Sequence, residues 1–315
     1  MTDNILFIGG AGFIGSAIIN EMLKRKKNRD NFFVLEPTDA NLFRLEGLHI
    51  NIIKGDLVEI NYIEKIIKSN NISIIVHLVS TMIPGCGYED YKKEFENVIF
   101  PTVRLIQLCS RLGVLFVFFS SGGTVYGERT SMKPFVETDP KEPISYYGLS
   151  KQVIENSILF EHRTNHLQYL IIRPSNPYGH GQNVKGHQGF IAVALGKVIA
   201  GEPITVWGDG NSVRDYIYID DLAFAFSQLL KKGVMNKIIN IGSGKGYSVK
   251  QIITIIDEIA EEKVEVIYSP SRKNDVTNMI LDITLLNSLV NISFKPIELG
   301  VKDFYLYEKN QLKHG

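Results

Sequence analysis

The sequence predicts an α/β fold: a doubly wound, mostly parallel sheet with a smaller C-terminal lobe. Three observations predict it. Short runs of apolar, β-branched and aromatic residues recur along the chain. Most are continuously apolar rather than alternating, as parallel strands covered on both faces are. Amphipathic stretches separate them, giving the strand–helix–strand order of right-handed crossovers. The first apolar run also passes directly into a glycine-rich turn and then a helical pattern.

Taken in order, strands are expected at residues 4–8, 32–35, 50–54, 74–77, 115–120, 167–172 and 238–241. Helical patterns fill 14–24 and 98–112. The basic run Lys24, Arg25, Lys26 and Lys27 closes the first of them, where cations suit the negative end of the helix dipole. After about Pro174 the pattern loosens. Residues 176–213 are rich in Gly, Pro and Asn, with one helical stretch near 190–200. Regular character returns at 220–230 and 238–241, then fades after Gly246. The expected organisation is a dinucleotide-binding core over 1–174, rejoined by 215–245, with a lobe made from 175–214 and 246–315.

The chain has 315 residues, 44% of them hydrophobic, enough for a substantial core. Lys and Arg number 34, as do Asp and Glu, so charge gives no case for nucleic acid or an anionic membrane as a partner. No apolar run approaches the ~18–20 residues that span a bilayer, and the N-terminus enters a strand without a signal-like segment. Cys86 and Cys109 are the only cysteines, and no CxxC or Cys/His spacing suggests zinc, so no metal is expected. Two free thiols fit a reducing compartment, and a cytoplasmic protein is expected.

Gly9, Gly12 and Gly15 lie between the first strand and the first helix. One glycine makes the tight turn, one lets the backbone approach a pyrophosphate, and one allows close helix–strand packing. The helix N-terminus, at Phe13 and Ile14, offers amide donors to phosphate. An acid is expected roughly 20 residues on, to hold the ribose hydroxyls of the dinucleotide. Glu36 stands there, with Asp39 as the alternative. A carboxylate favours NAD over NADP, and no Arg occupies 37–41. Asp56 and Leu57 close the third strand, where an acid can meet the adenine. His77 closes the fourth and reads as structural.

Tyr147 and Lys151 are four residues apart and share a helix face. A tyrosine near its reference pKa of ~10 is a poor base at neutral pH. A neighbouring ammonium and a positive nicotinamide both favour the phenolate. The pair can therefore act as a general base while hydride leaves a carbinol carbon. Tyr146 is out of register with Lys151. The fifth strand ends in SSGGTVYG (120–127), whose hydroxyls can relay the proton.

These motifs resemble the extended short-chain dehydrogenase/reductase superfamily, in its NAD-dependent sugar epimerase/dehydratase branch, a Rossmann-type family. The likeness runs nearly the full length: GGAGFIG (9–15), GDL (55–57), HLVS (77–80), SSGGTVYG (120–127), YYGLSK (146–151), RPSNPYG (173–179) and GDGNSVRDYIYIDD (208–221). It implies 4-epimerisation of a nucleotide-diphosphate hexose, of the UDP-glucose 4-epimerase type, through a transient 4-keto sugar. It implies Tyr147 as base, with Lys151 lowering its pKa and holding the nicotinamide ribose. Asn176 would touch the sugar or diphosphate. Arg214 and Arg272 would grip the diphosphate, and Asp275 would hold the nucleoside ribose. Met279 would border the group at C2 of the hexose. A homodimer through helices near 97–112 and 147–163 is also implied.

One departure stands out. The family places Ser or Thr at the position of Gly122, which has no side chain. The missing hydroxyl is expected from Thr124 or Ser121. Gly123 and Thr124 replace the Asp-Glu of 4,6-dehydratases and argue against that reaction. Two alternatives to epimerisation are a reductase of nucleotide-diphosphate 4-keto-(6-deoxy)sugars and a weakly catalytic, dinucleotide-binding regulatory protein, which only Gly122 favours.

Overall fold

A computed structural model describes residues 3–25, 31–186, 188–261, 263–271 and 276–314. The chain first lays down β1 (Asn4–Ile8), α1 (Phe13–Arg25), β2 (Phe32–Glu36), β3 (Asn51–Lys54), α2 (Ile60–Ser69) and β4 (Ile72–His77). It continues with α3 (Tyr88–Glu94), a π-helical turn (Phe95–Ile99), α4 (Phe100–Leu112), β5 (Leu115–Phe119), the short α5 (Gly122–Val125), α6 (Tyr146–Asn165) and β6 (Tyr169–Pro174). It then leaves the sheet for β7 (Asn176–Tyr178), α7 (Phe190–Ile199), β8 (Ile204–Trp207) and β9 (Val213–Tyr218). Helix α8 (Ile219–Lys231) brings it back to β10 (Lys237–Ile241). The remainder is β11 (Gly246–Ser248), α9 (Val249–Ala260), β12 (Val266–Ser269), β13 (Asn278–Met279), α10 (Thr284–Leu289) and α11 (Ile297–His314).

The main sheet has seven parallel strands in the order β3-β2-β1-β4-β5-β6-β10. This is the Rossmann order, with the switch point between β1 and β4. Side chains alternate across the sheet, and the alternation sorts two cores. Ile5, Phe7, Val76, Val117 and Ile172 face Ile18, Ile19, Leu222 and Phe226 of α1 and α8. Leu6, Ile8, Ile75, Phe118 and Ile171 face Ile63, Leu105, Ile106, Ile154 and Ile158 of α2, α4 and α6. Both faces are buried, which is why the strands read as unbroken apolar runs.

The lobe has its own core from α7, α9, α11, β8 and β9, including Leu195, Ile252, Ile256, Val301 and Phe304. Strand β9 pairs with β7, β11 and β13, so it belongs to the lobe's sheet. The return to the main sheet therefore starts with α8 at Ile219, slightly later than the expected 215. The expectation that regular structure fades after Gly246 is also corrected by α9 and α11. Ser248 Oγ accepts from Gln251 N–H at 3.2 Å, and Gln251 Oε1 accepts from Ser248 N–H at 2.8 Å. That reciprocal cap starts α9 at a position the sequence advertises.

A buried ion pair ties α6 to the sheet. Arg173 donates from Nε and Nη2 to Glu155 at 2.9 and 2.7 Å, with both side chains essentially inaccessible. Ser120 Oγ and Lys141 Nζ also donate to Glu155, at 2.6 and 3.1 Å. Burying such charges is costly unless they are fully paired, as these are. Glu155 lies one turn beyond Lys151, so the network fixes the helix that carries it.

Candidate active site

A cleft of about 770 Å³ opens between the main sheet and the lobe. Gly9, Gly12, Phe13, Ile14 and Gly15 line it at the β1–α1 turn, Tyr147 and Lys151 from α6, Asn176 from β7, and Arg214 from β9. Nine of the expected residues thus converge on one space.

The glycine turn has the shape of a phosphate cradle. Gly9 has φ +81°, and a Cβ there would meet Val79 N at 3.3 Å. At Gly15 a Cβ would come within 2.7 Å of Gly10 O, so only glycine lets α1 pack this close to the turn. At Gly12 the nearest obstacle is Gly9 O at 3.4 Å. Glu36, at the end of β2, is buried and accepts from Ala11 N–H at 2.6 Å through Oε1. Burial raises its carboxyl above the usual value, the Ala11 bond and Lys54 opposing. A carboxylate beside a side-chain-free turn at a helix N-terminus suits a dinucleotide, although Glu36 itself is buried and does not line the cleft.

Not every expected cofactor residue reaches the cleft. Asp39 and Asp56 are exposed. Asp56 Oδ1 accepts from Val58 N–H at 3.0 Å, closing its own turn. Leu57 is buried in the core on the α2 side. Neither Asp56 nor Leu57 lines the cleft. His77 is fully buried, bonded through Nε2 to Thr102 Oγ1 at 2.9 Å. Burial, then Lys151, pushes it down to about 3, so it is a neutral structural group.

Helix α6 starts where it does because Ser145 Oγ accepts from Gly148 N–H at 3.1 Å, capping the first turn. Tyr147 and Lys151 then sit on successive turns facing the cleft. Tyr146 turns away and stacks on Tyr91, centroids 5.3 Å apart. Lys151 is buried, donates to Phe119 O at 3.3 Å and lies 5.5 Å from the Tyr147 ring centroid. Burial lowers its ammonium to about 8, with Glu94 and Glu155 pulling the other way. Tyr147 opens partly onto the cleft but is densely surrounded. Its phenol is raised to about 12, by burial first; a hydrogen bond with the Ser121 side chain lowers it and Glu94 raises it.

The two candidate hydroxyls sit in different surroundings. The Ser121 side chain acts on Tyr147, lowering its phenol. Thr124 Oγ1 is buried with no hydrogen-bond partner, so it makes no bond to Tyr147 in this structure. The reason is local. Ser121 is still extended (φ −154°, ψ 108°) at the end of β5, whereas Thr124 lies within α5, whose carbonyl side abuts Gly148. A Cβ at Gly122 would come within 2.7 Å of the Leu281 side chain and 3.1 Å of Arg173 O, so the family's usual Ser or Thr would need Leu281 to shift.

On the lobe side, Asn176 Nδ2 donates to Asp215 O at 2.8 Å. Arg214 Nη1 donates to Val213 O at 3.0 Å. Asp215 is buried and accepts from Ser243 N–H and Oγ, Gly244 N–H and Leu281 N–H, a knot that sets the Arg214 strand. Met279, paired in register with Arg214, lies under Gly123, whose Cβ position is 3.6 Å from both Met279 Cε and Asn176 Oδ1. Arg272 and Asp275 lie outside the described residues. Two groups went unpredicted. Arg44 lines the cleft and donates from Nε to Gly181 O at 2.8 Å; it stands just beyond the 37–41 window searched for a phosphate-binding Arg. Glu94 is buried behind the Ser80 loop, and its highly charged helix gave no sign of that.

Known proteins share this fold. Residues 5–242 match the NAD dependent epimerase/dehydratase family. The chain belongs to that family. NAD is therefore its cofactor, in keeping with the fit of the glycine turn and Glu36. A family relative from Escherichia coli, a dTDP-4-dehydro-6-deoxyglucose reductase, is 33% identical over 93% of this chain and 93% of its own. The UDP-glucose 4-epimerase of Thermotoga maritima, solved with UDP-glucose, is 30% identical with a TM-score of 0.90, over 98% of this chain and 99% of that one. The UDP-glucose 4-epimerase of Thermus thermophilus, solved with NAD, is 26% identical with a TM-score of 0.85, over 96% and 98%.

Proposed function

We propose that this protein is an NAD-dependent 4-epimerase of a nucleotide-diphosphate hexose, with a UDP-sugar (UDP-glucose/UDP-galactose or the N-acetyl forms) as substrate. The carrying observation is the convergence of Tyr147 and Lys151, one turn apart, on the cleft lined by the glycine turn. Bound NAD supplies the acceptance and return of hydride at C4. Tyr147 takes the proton of the 4-hydroxyl, Ser121 bridges substrate and phenol, and Lys151 carries the positive charge and holds the nicotinamide ribose. Glu36 holds the adenosine ribose. Arg214 and Arg272 grip the diphosphate, Asp275 the nucleoside ribose, and Asn176 the sugar. Residues 1–174 with the α8–β10 return are the NAD domain, and the rest is the nucleotide-sugar lobe.

The effect of the Ser121 side chain on Tyr147 supports catalysis over a regulatory protein, the reading that only the bare Gly122 favoured. The relative at 33% identity favours a second reading, a reductase of a 4-keto-6-deoxy sugar. Released nucleotide tells them apart. An epimerase retains about one NAD(H) per chain through purification and interconverts UDP-glucose and UDP-galactose without added cofactor. A reductase emerges empty and consumes reduced cofactor with a 4-keto sugar.

A homodimer through α4 and α6 accompanies this reading. Phe100 and Phe160 are each 57% exposed, and Val103, Ile106 and Val153 line a groove between the helices. Sedimentation of wild type and Phe160→Glu tests it, the variant running as a monomer. Among the described residues no helix is long and apolar enough to cross a membrane. Cys86 and Cys109 are free thiols, which supports the cytoplasm as its place.

A further inference from the structure

Glu128 follows α5, on the stretch that leaves the Ser121 turn. Its carboxylate reaches across to the lobe. It accepts from Thr277 N–H, at 3.1 Å through Oε1 and 3.0 Å through Oε2, and from Thr277 Oγ1. Arg129 braces the turn behind it, stacking on the Phe135 ring at 3.8 Å and donating to Asp139 at 2.8 Å. The two segments then run on together. Asn278 Nδ2 donates to Thr130 O at 3.3 Å, and Phe135 N–H donates to Ile280 O at 2.8 Å.

Thr277 is a junction. Its N–H and hydroxyl face Glu128, while its carbonyl receives Val213 N–H at 2.8 Å and Arg214 Nη1 at 3.5 Å. The next two residues, Asn278 and Met279, pair in register with Val213 and Arg214. Arg214 lines the cleft, and Met279 Cε lies 3.6 Å from the Cβ position of Gly123. Glu128 and Thr277 do not line the cleft themselves, so an effect on substrate passes through Arg214 and Met279. An ionised acceptor makes the stronger kind of hydrogen bond. Two donors from one residue fix both the place and the direction of the strand that follows.

We propose that Glu128 is a positioning residue for the substrate: by gripping Thr277 it holds Arg214 and the Met279 wall at a set distance from Tyr147 and Lys151, and so governs nucleotide-sugar affinity rather than the chemical step. The inference rests on the epimerase reading above, in which Arg214 grips the diphosphate. The clasp joins the core to the lobe without touching the glycine turn, so cofactor binding is independent of it.

The test is steady-state kinetics of the NAD-loaded protein with UDP-glucose, beside calorimetric binding of UDP. Glu128→Ala removes the acceptor, and Thr277→Val removes the hydroxyl while the N–H remains. Both residues are exposed, so the variants keep the core. In Glu128→Ala, KM and the Kd for UDP should rise roughly 3- to 10-fold, the scale of one hydrogen bond, with kcat within about twofold and NAD content unchanged. Thr277→Val should move both constants in the same direction by less, and Thr277→Ser should restore them. The double variant should be no worse than Glu128→Ala alone, because both changes break one contact. Unmoved KM and Kd overturn the inference, as does full additivity of the two changes. A fall in kcat at constant KM also overturns it, since that marks loss of folded protein rather than of positioning. Wild type that binds UDP but does not epimerise sinks the epimerase reading alone, and the Kd comparison then decides the clasp. Wild type that binds no UDP overturns both.

Discussion

On the sheet side of the cleft, every candidate group hangs from a strand end or a capped first turn. The glycines follow β1, Ser121 follows β5, and Tyr147 and Lys151 open α6 behind the Ser145 cap. On the lobe side, Asn176 and Arg214 ride on the short β7 and on β9, and Asp215 fixes them through partners up to 66 residues away. The difference separates two jobs. Chemistry needs groups held at fixed distances, and the buried parallel sheet provides them. Under the proposed function, sugar selection needs a wall that can vary, and the lobe would be that wall.

The comparison can be broken by perturbing one side and watching the other. Tyr147→Phe should have the largest effect, a loss of roughly 10²–10⁴ in kcat, the range for a general base, with NAD content unchanged. Simultaneous loss of NAD would mean that the sheet side is not independent of the hydroxyl. Glu155→Ala comes next. It strands Arg173 in the core and should cost about 3–5 kcal/mol by denaturant unfolding. Gly122→Ser should be destabilised by about 1–3 kcal/mol through overpacking against Leu281 and Arg173, without a gain in rate.

Lys151 gives a pH-dependent test. Its ammonium is lowered to about 8 in the folded chain from 10.5. Below pH 8 the buried charge destabilises the cofactor-free fold, and the penalty disappears as pH rises toward 10.5 because the folded state binds fewer protons there. Cofactor-free Lys151→Met should therefore be more stable than wild type at neutral pH, on the order of 2 kcal/mol. The advantage should shrink across that window, and a constant difference in melting would show that Lys151 is not the cause. Smallest of all, Thr124→Val should change turnover by less than about threefold, since its hydroxyl has no partner to lose.

What the sequence revealed follows the same division. The seven strands and the nine cleft residues were legible because each rests on a local pattern: an apolar run, a glycine spacing, a pair four residues apart. The different surroundings of Ser121 and Thr124 were not legible, because they depend on where β5 stops and α5 begins. Glu94 was hidden because YEDYKKE reads as a solvated helix until α6 and the Ser80 loop close over its last residue. Helices α9 and α11 were legible in principle, through the Ser248–Gln251 box and the spacing of Ile297, Val301, Phe304 and Tyr305, but turn-rich neighbours obscured them.

The most direct test of the central claim, that Tyr147, Lys151 and Ser121 act on a sugar C4 beside retained NAD, is turnover of UDP-glucose carrying deuterium at C4. The account predicts UDP-galactose that keeps its deuterium at C4, formed without added cofactor, and none from Tyr147→Phe. Deuterium lost to solvent, or no product until reduced cofactor and a 4-keto sugar are supplied, would contradict it.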